Sequence, residues 1–450
     1  MSLTNDAVRD RDLAVLWHPT TQMKDHEWLP LLPVKRGRGV WLEDFEGGRY
    51  IDAISSWWVN LFGHANPHIS NAVARQAREL EHVILAGVTH EPAVRLAERL
   101  VDITPAGLDR VFFADSGSGA VEIALKMSFH YWRNQGETGR TKFVTLTHSY
   151  HGETLGTLAV GDAGLFKEAY EPLLMESIFA PSPDCSGLDP SDWDAHAAAK
   201  LGELEAVLAA QADSVCAVII EPLVQCAGGM RMHPPSWIRG LRTLCDRYRV
   251  HLIADEIAVG FGRTGSLFAC DQAGVSPDFM CLSKGLTGGY LPMSAVMTTS
   301  TVYDAFYDEY TTLRGFLHSH SYTGNALACA AALATLELFE ASDVLGDNVH
   351  KARWMRDAVA PLESHPNVGD IRQTGMILAL EMVADRERGL AWDWRERRGM
   401  RVYEHGLAHG VLLRPIGNVV YFMPPYVINE SEVAQMAEVA IAGIDRAAAA

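Results

Sequence analysis

Basic residues are scarce in this chain of 450 residues. Lysine and arginine total 38 against 56 acids, a formal net charge of −18. A general grip on nucleic acid needs clusters of Lys and Arg to neutralise phosphates, so that class of partner is set aside. No run of about 18 apolar residues occurs, and nothing reads as a membrane-spanning helix. The segment Met1 to Arg11 is polar and carries acids, without the apolar centre of a secretory signal. Seven cysteines lie scattered between Cys185 and Cys329, an odd count with no Cys-x-x-Cys pair. That argues against a disulfide framework or a zinc ribbon and for a reducing compartment. A cytoplasmic location is the expectation. No Gly-x-x-x-x-Gly-Lys-Ser/Thr run is present, which removes a P-loop.

What is present suits a large globular protein: 48% of residues are hydrophobic. The length exceeds what one ordinary core holds, so a large domain and at least one smaller one are expected. Short apolar runs read as buried strands at Arg110–Ala114, Lys142–Leu146, Val215–Ile220, Val250–Ala254, Phe279–Leu282 and Ser294–Thr298. Helical stripes lie between them at Ala120 to Trp132 and Trp237 to Tyr248. Alternation of this kind predicts an α/β fold with a mostly parallel sheet covered by helices on both faces. An Ala-rich helix over Gly324 to Glu340, a mixed region and a last helix over Glu430 to Ala447 read as a second, α+β domain. The expected division is an N-terminal segment, 1–65, packing with the small domain; a large domain, 66–329; and the small domain, 330–450.

In open α/β sheets, ligands sit beyond the carboxyl ends of the strands. Five predicted strands are followed there by polar groups: Asp115-Ser116-Gly117-Ser118, Tyr150-His151-Gly152-Glu153, Glu221, Asp255-Glu256 and Lys284. A stable fold does not require that coincidence. Lys284 and Asp255, 284 − 255 = 29 positions apart, suit pyridoxal phosphate. That cofactor needs an amine to hold its aldehyde and an anion to keep its ring nitrogen protonated. Ser116-Gly117-Ser118-Gly119 falls between a strand and a helix, where glycine and unpaired N–H groups receive a phosphate. An ordinary N-cap is the competing reading of that turn. Tyr150 could stack on a ring or be a half-buried loop aromatic.

Two other chemistries are weighed against this one. His148, His151 and Glu153 invite a metal, but no further ligand stands at a suitable spacing, so no metal is expected. Gly260-Phe261-Gly262-Arg263-Thr264-Gly265 is a literal Gly-x-Gly-x-x-Gly and raises a nicotinamide dehydrogenase as a remote alternative. It lies deep in the chain, no long helix pattern follows, and Asp255-Glu256 before it would repel a pyrophosphate.

With these motifs assembled, the chain resembles the class III, or ω-type, aminotransferases, pyridoxal-phosphate enzymes of the aspartate aminotransferase fold (fold type I). The likeness covers nearly the whole chain. Within the class it looks most like the biotin-synthesis branch, on Leu16-Trp17-His18-Pro19, Ser55-Ser56-Trp57-Trp58-Val59-Asn60, Ala114-Asp115-Ser116-Gly117-Ser118, Ile253–Ala258 and Leu412-Leu413-Arg414-Pro415. The resemblance implies a seven-stranded type of sheet and a transamination with 8-amino-7-oxononanoate as acceptor. The donor it implies is S-adenosylmethionine or lysine. Thr20 and Glu153 stand where the S-adenosylmethionine users carry Tyr and Asp. A broad ω-amine:pyruvate aminotransferase is the alternative. By resemblance, Lys284 is catalytic and joins the cofactor; Gly117 and Ser118 hold its phosphate; Tyr150 stacks on its ring; and Asp255 pairs with the ring nitrogen. Ser321 reaches the phosphate of a neighbouring subunit, which implies a homodimer. Trp57, Trp58, Glu221 and Arg414 line the substrate pocket.

Overall fold

The computed structural model describes residues 3–162 and 164–449. Contacts divide the chain into two compact units. One comprises Met1–Asn66, His350–Ile371 and Leu378–Ala450, the other Pro67–Val349 and Arg372–Ile377.

The larger unit is built on seven strands: β1 (Arg110–Ala114), β2 (Lys142–Leu146), β3 (Ile178–Ala180), β4 (Val215–Ile220), β5 (His251–Asp255), β6 (Phe279–Leu282) and β7 (Ser294–Thr298). Their spatial order is β1-β7-β6-β5-β4-β2-β3. Neighbours pair in parallel from β6 to β3, and β7 runs antiparallel to both β6 and β1. The sheet is therefore mostly parallel, as the alternating pattern predicts, with one reversed strand that the pattern did not reveal. Every residue of β4, β5, β6 and β7 is buried, because helices cover both faces and leave no wet side to alternate with. Packed against this sheet are Ile123, Met127 and Trp132 of the helix Gly117–Asn134.

β5 runs one residue further than the apolar pattern suggested, since Asp255 keeps register with Cys281 of β6. β3 was not anticipated; three residues are too few to show a period. The helix Pro235–Tyr248 ends at Arg249, which takes the left-handed conformation at φ +51°. The Ala-rich helix spans Ala326–Ala341, opened by Asn325, whose side chain accepts from Ala328 N.

The smaller unit holds a four-stranded sheet. Val34–Arg38, Trp41–Asp44 and Arg49–Asp52 form an antiparallel meander, and Val411–Leu412 pairs in parallel with the last of these. Its helix Arg398–Ala408 packs on the C-terminal helix Glu430–Ala449. Among the described residues, no helix is long and apolar enough to cross a membrane.

Candidate active site

Because β1, β2, β4, β5 and β6 run the same way, the residues following them emerge on one edge of the sheet. Four of the predicted groups are linked there by direct contacts, and Lys284 follows the neighbouring strand. The helix after β1 starts at Gly117, capped by Ser116, whose side chain accepts from Gly119 N. Gly152, at φ +125°, lies against Ser118 so tightly that a Cβ on it would come within 2.1 Å of the Ser118 Oγ. A Cβ on Gly117 would meet Ile257 at 3.0 Å. The close approach at Gly152 seats the 150–153 loop against the helix N-terminus at Gly117, where N–H groups and the helix dipole favour an anion.

The loop after β2 ties this helix N-terminus to the acids. Tyr150 N donates to Glu221 Oε2 at 2.9 Å, and its hydroxyl donates to Glu153 Oε1 at 3.0 Å. Burial and the Glu153 carboxylate push the Tyr150 phenol well above its usual range. Glu221 also accepts from Cys226 N at 3.0 Å. Burial raises this carboxyl to about 7; the charge of His151 and the two backbone donors pull the other way.

Asp255 ends β5 as a buried carboxylate. Its Oδ1 accepts from Ile257 N at 3.1 Å, and its Oδ2 lies 2.7 Å from His151 Nδ1. His151 is buried, and its Nε2 has no hydrogen-bond partner among the described residues. Sequence reading weighed His151 only as a metal ligand and missed this pairing. Its position beside Tyr150, in a loop already singled out, was the available signal. The neighbouring Glu256 faces away from this cluster. It accepts from Ala269 N and Cys270 N and fastens the next segment.

Lys284 follows β6, the strand beside β5. It opens a short 3₁₀ turn, Lys284–Thr287, at φ +45°. A non-glycine residue in this region costs on the order of 1–3 kcal/mol, strain that clusters at working sites. Burial pushes the ammonium below its usual value, while Cys226, Asp255 and Glu221 lie close enough to pull it back. A lysine of this kind is a neutral nucleophile more readily than one in water.

The Gly260–Gly265 segment folds as a turn rather than the start of a dinucleotide helix. Gly262 N donates to Leu267 O at 3.1 Å, and Arg263 is buried, its carbonyl accepting from Met376 N at 2.8 Å. Only the short helix Ala269–Ala273 follows. Ser321 also belongs to this larger unit. It lies in a turn between Leu317 and the helix at Ala326, with its side chain exposed.

Trp57, Trp58 and Arg414 lie in the smaller unit. The tryptophans lie in a turn rather than on a strand. Ser55, Ser56, Trp57 and Trp58 have φ of 51°, 48°, 72° and 73°, a left-handed turn without glycine. Each such residue costs roughly 1–2 kcal/mol. Compensation comes from Asp52, fully buried, which accepts from Ser56 N at 2.9 Å and Ser56 Oγ at 2.7 Å and lies 3.0 Å from His64 Nε2. Ser55 Oγ donates to Met423 O at 2.7 Å. Trp58 packs into the core, its indole donating to Tyr421 at 2.9 Å, while Trp57 is 41% exposed. Arg414 lies over the Trp57 ring at 5.3 Å and lines a cleft of about 270 Å³ with Thr20, Asp25, Arg397 and Tyr403.

The sequence matches the family described as Aminotransferase class-III over residues 22–442. The adenosylmethionine-8-amino-7-oxononanoate aminotransferase of Geobacter sulfurreducens is 45% identical, over 95% of this chain and 94% of its own. The crystal structure of the aminotransferase of that name from Methanocaldococcus jannaschii superposes with a TM-score of 0.93 at 37% identity, covering 98% of this chain and 99% of its own. An ω-transaminase from Pseudomonas jessenii, solved in complex with PMP, has a TM-score of 0.92 at 28% identity, over 98% of each chain. With 22–442 matched, the chain belongs to the class-III aminotransferases and is a pyridoxal 5′-phosphate-dependent transaminase.

Proposed function

We propose that the chain transfers an amino group to the keto carbon of 8-amino-7-oxononanoate, giving 7,8-diaminononanoate, a step of biotin synthesis. The observation that carries this reading is the 45% identity to a relative bearing that name across 95% of the chain. S-adenosylmethionine is the donor in that name; lysine is the alternative. The reaction belongs in the cytoplasm, in keeping with seven cysteines that are all free thiols.

The residues fit the cofactor. The helix N-terminus at Gly117 suits a phosphate, the buried Asp255 carboxylate a protonated pyridine, and the half-buried Lys284 an aldehyde. When bound, pyridoxal phosphate draws electrons from the carbon bearing the substrate's amine, so that its proton can leave. The Lys284 Nζ anchors the cofactor and moves that proton. Asp255 stabilises the positive ring nitrogen by proximity of opposite charge. Gly117 and Ser118 hold the phosphate, and Tyr150 flanks the ring. Glu221 fixes the Tyr150 loop and sets the charge of the substrate side. Arg414 grips the substrate carboxylate with its planar fork. The exposed Trp57, backed by Trp58, covers the apolar chain. Ser321 reaches the phosphate of a second copy, so the working form is a homodimer.

Assays with 8-amino-7-oxononanoate and with pyruvate as acceptors, each with S-adenosylmethionine or lysine, test the reading. Turnover of 8-amino-7-oxononanoate is expected. Turnover of pyruvate alone would replace the biotin step with a broad ω-amine activity.

A further inference from the structure

The turn that carries Ser321 is tied down on both sides by one segment, residues 81–90. His82 Nε2 lies 2.6 Å from the Ser321 carbonyl oxygen, and His90 Nε2 lies 2.8 Å from that of Gly324. Asn325 Nδ2 donates to Glu81 O at 3.1 Å. Gly324 sits at φ +63°, so close to Leu85 that a Cβ would come within 2.4 Å of its Cδ1. Within the turn, Thr323 Oγ1 donates to His320 O at 2.9 Å. The backbone is anchored while the Ser321 side chain stays exposed.

His90 is buried and uses both ring nitrogens. It caps the helix Glu91–Ile103, its Nδ1 accepting from Ala93 N at 3.3 Å. An accepting Nδ1 puts the proton on Nε2, which then donates to Gly324 O. Ser, Asp or Asn would cap this helix as well. The second reach, from cap to turn, is what histidine adds.

We propose that His90, assisted by His82, is a positioning residue for the cofactor phosphate: it fixes the turn from which Ser321 reaches the phosphate of the second copy. This rests on the reading of Ser321 given above.

Two substitutions separate the nitrogens. In His90→Asn the amide stands in for Nδ1, keeping the cap and losing Gly324. In His90→Gln the longer amide donates to Gly324 and loses the cap. Pyridoxal phosphate is titrated into the dimeric protein and followed by absorbance, with thermal melts alongside. Ser321→Ala and His90→Asn are each expected to weaken binding about fivefold, the worth of one hydrogen bond. His90→Gln is expected to bind as the parent does while melting lower. Parental binding by Ser321→Ala would overturn the Ser321 reading and this inference with it. Weakened binding by Ser321→Ala with parental binding by His90→Asn would overturn the positioning role alone. So would equal losses in the Asn and Gln variants, which a merely structural histidine would give.

Discussion

The two units place functional groups by opposite means. In the larger one, the carboxyl edge of a regular sheet does it by repetition: strand after strand ends and delivers a polar residue to the same side. In the smaller one, Trp57 is delivered by exception, through four successive left-handed residues held by Asp52 and by Met423 O, far along the chain. A repeated device tolerates small errors, because neighbouring strands keep each other in register. A strained turn depends on a few buried hydrogen bonds. Losses in the first region should therefore fall on the chemical step, and losses in the second on substrate binding.

The largest expected effect is that of Lys284→Ala. It removes the group that anchors the cofactor and moves the proton, and kcat should fall about a thousandfold or more, with the circular-dichroism spectrum kept. Retention of near-parental kcat would break the comparison at its first term.

Glu221 sharpens it through pH. Its carboxyl titrates near 4.5 unfolded and at about 7 folded, because burial disfavours the charge. A raised acid is stabilising only while protonated. The penalty is absent below pH 4.5, grows as pH rises to 7 and is complete above that, on the order of 3 kcal/mol. Urea midpoints at pH 5 and pH 8 check this. Glu221→Gln should lose less stability over that interval than the parent, and equal losses would show that Glu221 is not the titrating group.

Smaller effects belong to the other unit. Arg414→Lys keeps the charge but loses the planar fork, and KM for the acceptor should rise about tenfold with kcat held. Trp57→Ala removes an exposed ring under Arg414, worth about 0.5–1 kcal/mol. A few-fold rise in KM and an unchanged melting temperature are expected. A fall in kcat from either substitution would erase the distinction between the units.

The sheet edge was legible in the sequence because burial on both faces turns strands into continuous apolar runs. Arg110–Ala114, Lys142–Leu146, Val215–Ile220, Phe279–Leu282 and Ser294–Thr298 coincide with those runs. Direction is not written in such a run, so the reversal of Ser294–Thr298 was not foreseen. The left-handed turn was illegible for another reason. Ser55-Ser56-Trp57-Trp58 contains no glycine or asparagine to announce positive φ, and its supports come from Asp52, Met423 and Tyr421. His151 was hidden by its type: next to Glu153 it looked like a ligand, whereas its partner, Asp255, lies 104 residues away.

The central claim is that one lysine, at the end of one parallel strand, carries the cofactor. Borohydride reduction of the holoenzyme, digestion and peptide mapping test it directly. A pyridoxyl group on the peptide containing Lys284 is the predicted result. A pyridoxyl group on any other lysine, or on none, would contradict it.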